Sequence, residues 1–352
     1  MVTARLRLDR VSSSTRNARL GSEVLVGPEV VCREGYVLAV RIATDKAVYN
    51  QVEDPTGRMI RLREGDVLAG TLGHRNALRG YAGVVPDALA PGDTIQVLNM
   101  GGVLGRCTAG NPDFGPPFDA EVLGAVLAFP KTGDRVGRPA HIRDNAVAQA
   151  DSLECDAPVV YVAGTCMDAG KTMAAAEIVR GLSRAGLRVA GVKLTGVALR
   201  RDALAMLDAG AVAALTFNDA GVVSTSPDEA VPTANGLLNE LEHADHPDVI
   251  VAELGDGILG EYGVAQLRGD AALMSLSAAL VCCAPDQVGA WGAVRVLDER
   301  FGLRPTVMSG PCTDNDVGCR FIREQLHLPA HNARRGDGKL SGTVLEALRG
   351  RQ

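Results

Sequence analysis

The chain has 352 residues, of which 46% are hydrophobic and 22% charged, and its formal net charge is −6. That length exceeds most single cores, so two domains are expected. No block of clustered Lys and Arg supplies the footprint of a general nucleic-acid binder. No uninterrupted apolar stretch reaches the roughly 18 residues that a membrane helix needs. Aromatic residues are only 3%, which suits helices packed closely on a parallel sheet.

Arg5, Arg7, Asp9 and Arg10 open the chain without an apolar run behind them, so no signal peptide is expected. The eight cysteines form no CxxC pair, and free thiols in a reducing cytoplasm are the expectation. The short basic pairs Arg200-Arg201 and Arg334-Arg335 read as solvated faces.

Residues 1–130 read as a β-rich domain, a small barrel or sandwich. Strands are predicted at 23–26, 36–42, 59–62 and 94–98. Between them lie turns such as Asp54-Pro55-Thr56-Gly57 and Ala90-Pro91-Gly92-Asp93. Gly73-His74-Arg75-Asn76, with Arg79 and Tyr81, reads either as an exposed loop or as an anion or substrate site. The glycines of Asn99-Met100-Gly101-Gly102 serve a turn or bulge, and residues 109–117 are expected to be irregular. Residues 131–157 read as a connection with a short helix around 145–152.

From residue 158 to 352 strands and helices alternate, the pattern of a mostly parallel sheet flanked by helices. Strands are predicted at 159–163, 188–194, 212–217, 248–254, 278–284 and 306–309. The helices between and after them fall at 172–185, 201–208, 234–243, 288–301, 316–326 and 343–348.

The first strand and helix of this region bracket Gly164-Thr165-Cys166-Met167-Asp168-Ala169-Gly170-Lys171-Thr172. A strand, a glycine-containing turn and Lys-Thr opening a helix are the context of a P-loop. Backbone N–H groups of the turn converge on phosphates and the helix N-terminus adds positive potential, with Gly164, Thr165, Asp168, Ala169 and Gly170 as the candidate cofactor-binding residues. Lys171 then neutralises β/γ oxygens and the Thr172 hydroxyl ligates Mg²⁺. Thr165 occupies the place of the first glycine in the strict pattern. Cys166, inside the loop, reads as a small filler. The whole reads as an α/β P-loop NTPase domain preceded by a smaller β-rich domain.

The form Gly-Thr-x-x-x-x-Gly-Lys-Thr resembles the variant P-loop of the dethiobiotin synthetase-like ATPases, over about residues 159–328. Gly191-Val192-Lys193-Leu194-Thr195-Gly196 is similar to that family's lysine-bearing strand end. Arg201-Asp202-Ala203-Leu204 resembles its Mg²⁺-binding Asp segment. Thr216-Phe217-Asn218-Asp219 and Ser224-Thr225-Ser226-Pro227 resemble its next strand and substrate loop. Val251-Ala252-Glu253-Leu254-Gly255-Asp256-Gly257 resembles its Glu-Gly-x-Gly-Gly strand end, with Leu254 in place of the first glycine. A looser resemblance joins Met167-Asp168-Ala169-Gly170-Lys171-Thr172 to a group of poorly characterised bacterial P-loop proteins.

The resemblance implies Mg·ATP as cofactor, with Asp202 and Glu253 joining Thr172 at the metal. Lys193, at the C-terminal end of a central strand, is read as stabilising transition-state charge, and Asp219 either orients an acceptor or water or caps a turn. Asp256 is read as a turn residue or a site residue. The implied activity is phosphorylation or ligation of a small carboxylate, carbamate or amide acceptor, without nucleic-acid or membrane partners. Two other readings stand beside it: a nucleotide-gated adaptor, or an acyltransferase whose P-loop holds a cofactor's phosphates. A late Asn-Lys-x-Asp run is absent from the sequence, which favours ATP over GTP. Dimerisation across the nucleotide face is common in the resembling family, and a homodimer is carried as an expectation.

Overall fold

The computed structural model describes residues 3–77, 80–130, 133–134 and 136–351. Arg79 and Lys131 lie outside the described residues. The chain divides into two compact units. The first gathers Met1–Val147, Val197–Arg200 and Asn218–Ser224; the second gathers Ala148–Gly196, Arg201–Phe217 and Thr225–Gln352.

The strands of the first unit are β1 (Ala4–Arg7), β2 (Arg10–Val11), β3 (Glu23–Gly27), β4 (Val37–Ile42), β5 (Gln51–Glu53), β6 (Met59–Arg61) and β7 (Val67–Leu72). They continue as β8 (Arg75–Asn76), β9 (Tyr81–Val84), β10 (Thr94–Val97), β11 (Val103–Gly110), β12 (Phe118–Ala128) and β13 (Arg138–Pro139). Pairing runs β12–β4–β7–β11–β10 and returns from β10 to β12, which closes five strands into a barrel. Closure removes the exposed edges that five open strands would present. The β7–β11 pairing is parallel and the other four are antiparallel. Leu38, Val40, Ile42, Leu68, Leu72, Ile95, Leu104, Phe118 and Val122 fill the interior. A bulge between Val122 and Gly124 bends β12 where it leaves the barrel for β3 and β13.

Two local expectations change here. Residues 109–117 are partly regular: β11 extends to Gly110 against β9, and a 3-10 turn spans Pro112–Phe114. Lys46 Nζ fixes that turn by donating to Tyr81 Oη at 2.9 Å and to the Phe114 carbonyl at 3.0 Å. Arg75 is buried rather than looped out; it donates to the Leu98 carbonyl and faces the Tyr49 ring at 6.0 Å.

In the second unit six strands lie parallel in the order β16–β15–β17–β14–β18–β19. They are β14 (Val159–Gly164), β15 (Val189–Thr195), β16 (Ala213–Thr216), β17 (Val249–Leu254), β18 (Ser277–Cys283) and β19 (Val307–Ser309). The helices are α1 (Lys171–Arg184), α2 (Arg201–Asp208), α3 (Ala230–Asp245), α4 (Val264–Gly269), α5 (Ala271–Ser275), α6 (Gln287–Phe301), α7 (Asp316–Gln325) and α8 (Lys339–Arg349). On α1 the residues Ala174, Ala175, Ile178, Val179 and Leu182 recur at helical spacing and pack with Val160, Val251, Val281 and α8 Val344. Each fully buried Ile or Leu of that stripe contributes roughly 1.5–3 kcal/mol. The order of strands reverses at β14, which has β17 on one side and β18 on the other. That reversal opens a crevice beyond the carboxyl ends of the strands.

The helix expected around 145–152 does not form. Ala150 N–H donates instead to the Pro232 carbonyl at 3.0 Å, and Asn239 Nδ2 donates to the Ser152 carbonyl at 3.0 Å. These long-range partners replace the i→i−4 bonds a helix requires. Among the described residues no helix is long and apolar enough to cross a membrane.

Candidate functional site: a phosphate loop with a carboxylate pair

The turn after β14 delivers its residues to the crevice. Gly170 has φ 94° and directly precedes α1, whose first turn has no side-chain cap. By contrast, Asp286 caps α6 and Asn315 caps α7 through backbone N–H groups. An uncapped 14-residue helix behind a glycine turn leaves N–H groups directed at an incoming anion. Asp168, at φ 60°, supplies a second left-handed residue to the turn.

Lys171 is buried, and its Nζ donates to the Cys166 carbonyl at 2.7 Å. The ammonium therefore lies over the mouth of the loop, on a carbonyl that a phosphate oxygen would outbid. Thr165 N–H is tied to the Cys283 carbonyl at 3.0 Å, and Ile258 N–H to the Gly164 carbonyl at 2.9 Å. The loop is thus held from β18 on one side and from the turn after β17 on the other.

The Thr172 hydroxyl lies 3.2 Å from Asp202 Oδ1 and 3.0 Å from Glu253 Oε1. Glu253 is 1% exposed, and its second oxygen, Oε2, has no hydrogen-bond partner. Lys193, at the end of β15, forms a buried ion pair with Asp202 Oδ2. Burial pushes the Glu253 carboxyl up to about 7, with Asp202 adding repulsion and Lys193 and Lys171 opposing it. Burial also works to raise Asp202, but the Lys193 ammonium outweighs it and holds that carboxyl below its ordinary range. Lys193 is held above its usual value because Asp202 and Glu253 together overcome its desolvation.

These residues fit a Mg²⁺ ion. Thr172, Asp202 and Glu253 offer only oxygen donors, and Glu253 Oε2 is a desolvated acceptor with nothing to accept. Among the described residues no group of three or more His, Cys, Asp or Glu side chains forms a complete metal cage. A hard cation that keeps waters and takes phosphate oxygens needs only one or two protein carboxylates.

The second unit is a parallel sheet whose first strand, β14, is joined to α1 by a glycine-containing turn ending in Lys171-Thr172, the arrangement of a P-loop. No protein-family model matches the chain, and no curated protein matches it. Similar solved structures include chloroplast FtsY from Physcomitrella patens, at 12% identity over 57% of this chain and 69% of that one, TM-score 0.36. A DUF1611 family protein from Anabaena variabilis shows 15% identity over 58% of this chain and 63% of that one, TM-score 0.36. The hydrogenase maturation factor HypB from Archaeoglobus fulgidus shows 15% identity over 55% of this chain and 89% of that one, TM-score 0.33.

The second unit brings together Gly164, Thr165, Asp168, Ala169, Gly170, Lys171, Thr172, Lys193, Asp202 and Glu253. Asp219 falls in the first unit, where its carboxylate forms an ion pair with Arg16. Asn17 Nδ2 holds the same turn through the Asn218 and Asp219 carbonyls, at 2.9 and 3.2 Å. The sequence signal missed there is Ser12-Ser13-Ser14-Thr15-Arg16-Asn17, a polar run whose four hydroxyls are buried. Four adjacent hydroxyls without an apolar partner in sequence look like a surface turn. Arg200, expected on a solvated face, is half-buried, and its N–H donates to Glu53 Oε2 at 2.6 Å.

The turn after β17 packs so closely on the phosphate loop that a Cβ at Gly257 would fall 2.3 Å from the Thr165 carbonyl oxygen. Gly257→Ala is expected to displace the loop. Nucleotide affinity should fall about tenfold or more, a loss of ~1.4 kcal/mol, with the circular dichroism of the sheet unchanged. Titration with a fluorescent ATP analogue checks this.

Proposed function

We propose that the chain is a Mg·ATP-dependent enzyme that transfers the γ-phosphoryl group to a small acceptor of the carboxylate, carbamate or amide type. The observation that supports it best is the Thr172 hydroxyl set between Asp202 and Glu253, with a desolvated, unpartnered Glu253 oxygen beside an uncapped phosphate loop.

In this reading the loop N–H groups and the α1 terminus cradle the phosphates, and Lys171 leaves the Cys166 carbonyl for the β/γ oxygens. Mg²⁺ held by Thr172, Asp202 and Glu253 would neutralise phosphate charge when bound. Lys193, already paired with Asp202 at the crevice, faces the charge that grows on the transferring group. The work is mainly positioning and charge neutralisation in a site that excludes water. ATP over GTP rests on the absence of Asn-Lys-x-Asp. The eight unpaired cysteines suit a reducing compartment, and the cytoplasm is proposed as the place of action.

The test is incubation with Mg·ATP or Mg·GTP, alone and with pooled carboxylate and amine metabolites, while ADP, GDP and phosphate are measured. Acceptor-dependent ADP release is the expected result, and fractionating the pool then identifies the acceptor. Tight nucleotide binding with no response to any small acceptor would overturn phosphoryl transfer in favour of a nucleotide-gated adaptor.

A further inference from the structure

Between the glycines of the turn after β17 stands Asp256, with φ 68°. This is the left-handed region, where a side chain is strained and glycine rests without cost. Its Oδ1 is buried and has no hydrogen-bond partner. Its other oxygen is crowded by the backbone, since a Cβ at Gly260 would fall 2.1 Å from Oδ2. The Gly257 N–H bonds the carboxylate, and Lys171 attracts it across the mouth of the loop, while burial is the largest influence on it.

Two separate penalties therefore coincide at one residue, a strained backbone and a buried acceptor left unpaired. Packing requires neither, because glycine would satisfy the turn without either. Strain of this kind persists where function selects it. The position is also fixed: Ile258 N–H binds the Gly164 carbonyl at 2.9 Å, and Gly257 abuts Thr165 and Cys166. Asp202 bonds Thr172 and Lys193 and Glu253 bonds Thr172, whereas Asp256 Oδ1 is buried without a partner.

We propose that Asp256 is a catalytic residue that accepts the proton of a protic nucleophile attacking the γ-phosphoryl group. This rests on the phosphoryl-transfer reading above and narrows its acceptor to an N–H or O–H compound, or water, rather than a carboxylate anion. The nucleophile's lone pair forms the new bond to the γ-phosphorus, and its proton passes to Asp256 Oδ1. The bond from that phosphorus to the β,γ-bridging oxygen breaks, and its electron pair stays on the nucleoside diphosphate. A carboxylate acceptor has no proton to give, and the charge on Asp256 would repel it.

The probe is Mg·ATP hydrolysis, in which water is the nucleophile, compared for the wild type, Asp256→Asn and Asp256→Gly. Asn keeps the size and tolerates the backbone, so nucleotide affinity should stay within about twofold while turnover falls on the order of 100-fold. Gly should lose turnover equally yet unfold at a higher temperature than the wild type, because strain and an unpaired acceptor are removed together. Equal hydrolysis by wild type and variants that all bind nucleotide would overturn the role of Asp256 alone. Parallel losses of affinity and thermal stability in both variants would mark a structural brace and also overturn it. A wild type that binds no nucleotide overturns both this role and the phosphoryl-transfer reading.

Discussion

Lys171→Ala should weaken Mg·ATP binding by on the order of 100-fold or more and take turnover to background. The ammonium at the mouth of the loop bonds the Cys166 carbonyl at 2.7 Å and attracts the Asp256 and Glu253 carboxyls. The ammonium's hydrogen bond is to a neutral carbonyl, which a charged phosphate oxygen outcompetes. Its removal should therefore cost little folding stability, about 1 kcal/mol for one hydrogen bond, so a large loss of binding cannot be blamed on unfolding. Lys171→Arg should not rescue. Arginine would put a broad, planar fork where a compact ammonium meets the Cys166 carbonyl. Isothermal titration of both variants checks this, and wild-type affinity in the alanine variant would sink the phosphate-loop assignment.

Glu253→Gln should separate stability from activity. The wild-type carboxyl is raised from an ordinary value of 4.5 to about 7, first by burial and then by Asp202. A carboxyl that binds its proton more tightly folded than unfolded loses stability as pH rises, here between 4.5 and about 7. Glutamine is neutral throughout and escapes that loss. In EDTA at pH above 7 the variant should be more stable by on the order of 3 kcal/mol. The gain should fade as pH is lowered toward 4.5, where the wild-type carboxyl is itself protonated. Mg²⁺-dependent turnover should fall on the order of 100-fold, the loss of about 2.7 kcal/mol of charge stabilisation. Unfolding midpoints in EDTA, set beside a Mg²⁺ titration of turnover, read both. A variant less stable than wild type at high pH would mean that Glu253 is charged and well paired in the free protein.

The second unit was legible because its signals are local. Helix α2 begins at Arg201 and ends at Asp208, as its apolar spacing predicts. The glycine turn and Lys171-Thr172 announce the loop, and Lys193, Asp202 and Glu253 each end a strand or open a helix beside it. Helices α4 and α5 were not predicted: with six and five residues they span too few turns for a periodic pattern. The helix expected around 145–152 failed because Pro232, Asn235 and Asn239 of α3 offer that segment better partners than its own carbonyls do. In the first unit single strands were readable, whereas barrel closure depends on pairings such as Val103 with Thr71 that leave no local mark. Arg75 carries a charge that suggests solvent, yet an aromatic wall and a carbonyl bury it.

The first unit is not a continuous piece of chain, and that shapes how the protein is made. Its Glu34 accepts from Ser224 N–H at 2.8 Å, and its Asn99 donates to the Ala198 carbonyl at 2.9 Å. The five strands that close the barrel all end by Ala128, whereas the segments that bind Glu34 and Asn99 are synthesised after β14 and the phosphate loop. The first unit therefore gains its last segments only after the strand and loop that open the second have been made. A gene cut after Val147 would express a barrel with those sites open to water, aggregation and proteases, so separating the halves calls for a circular permutation or a grafted loop rather than a stop codon.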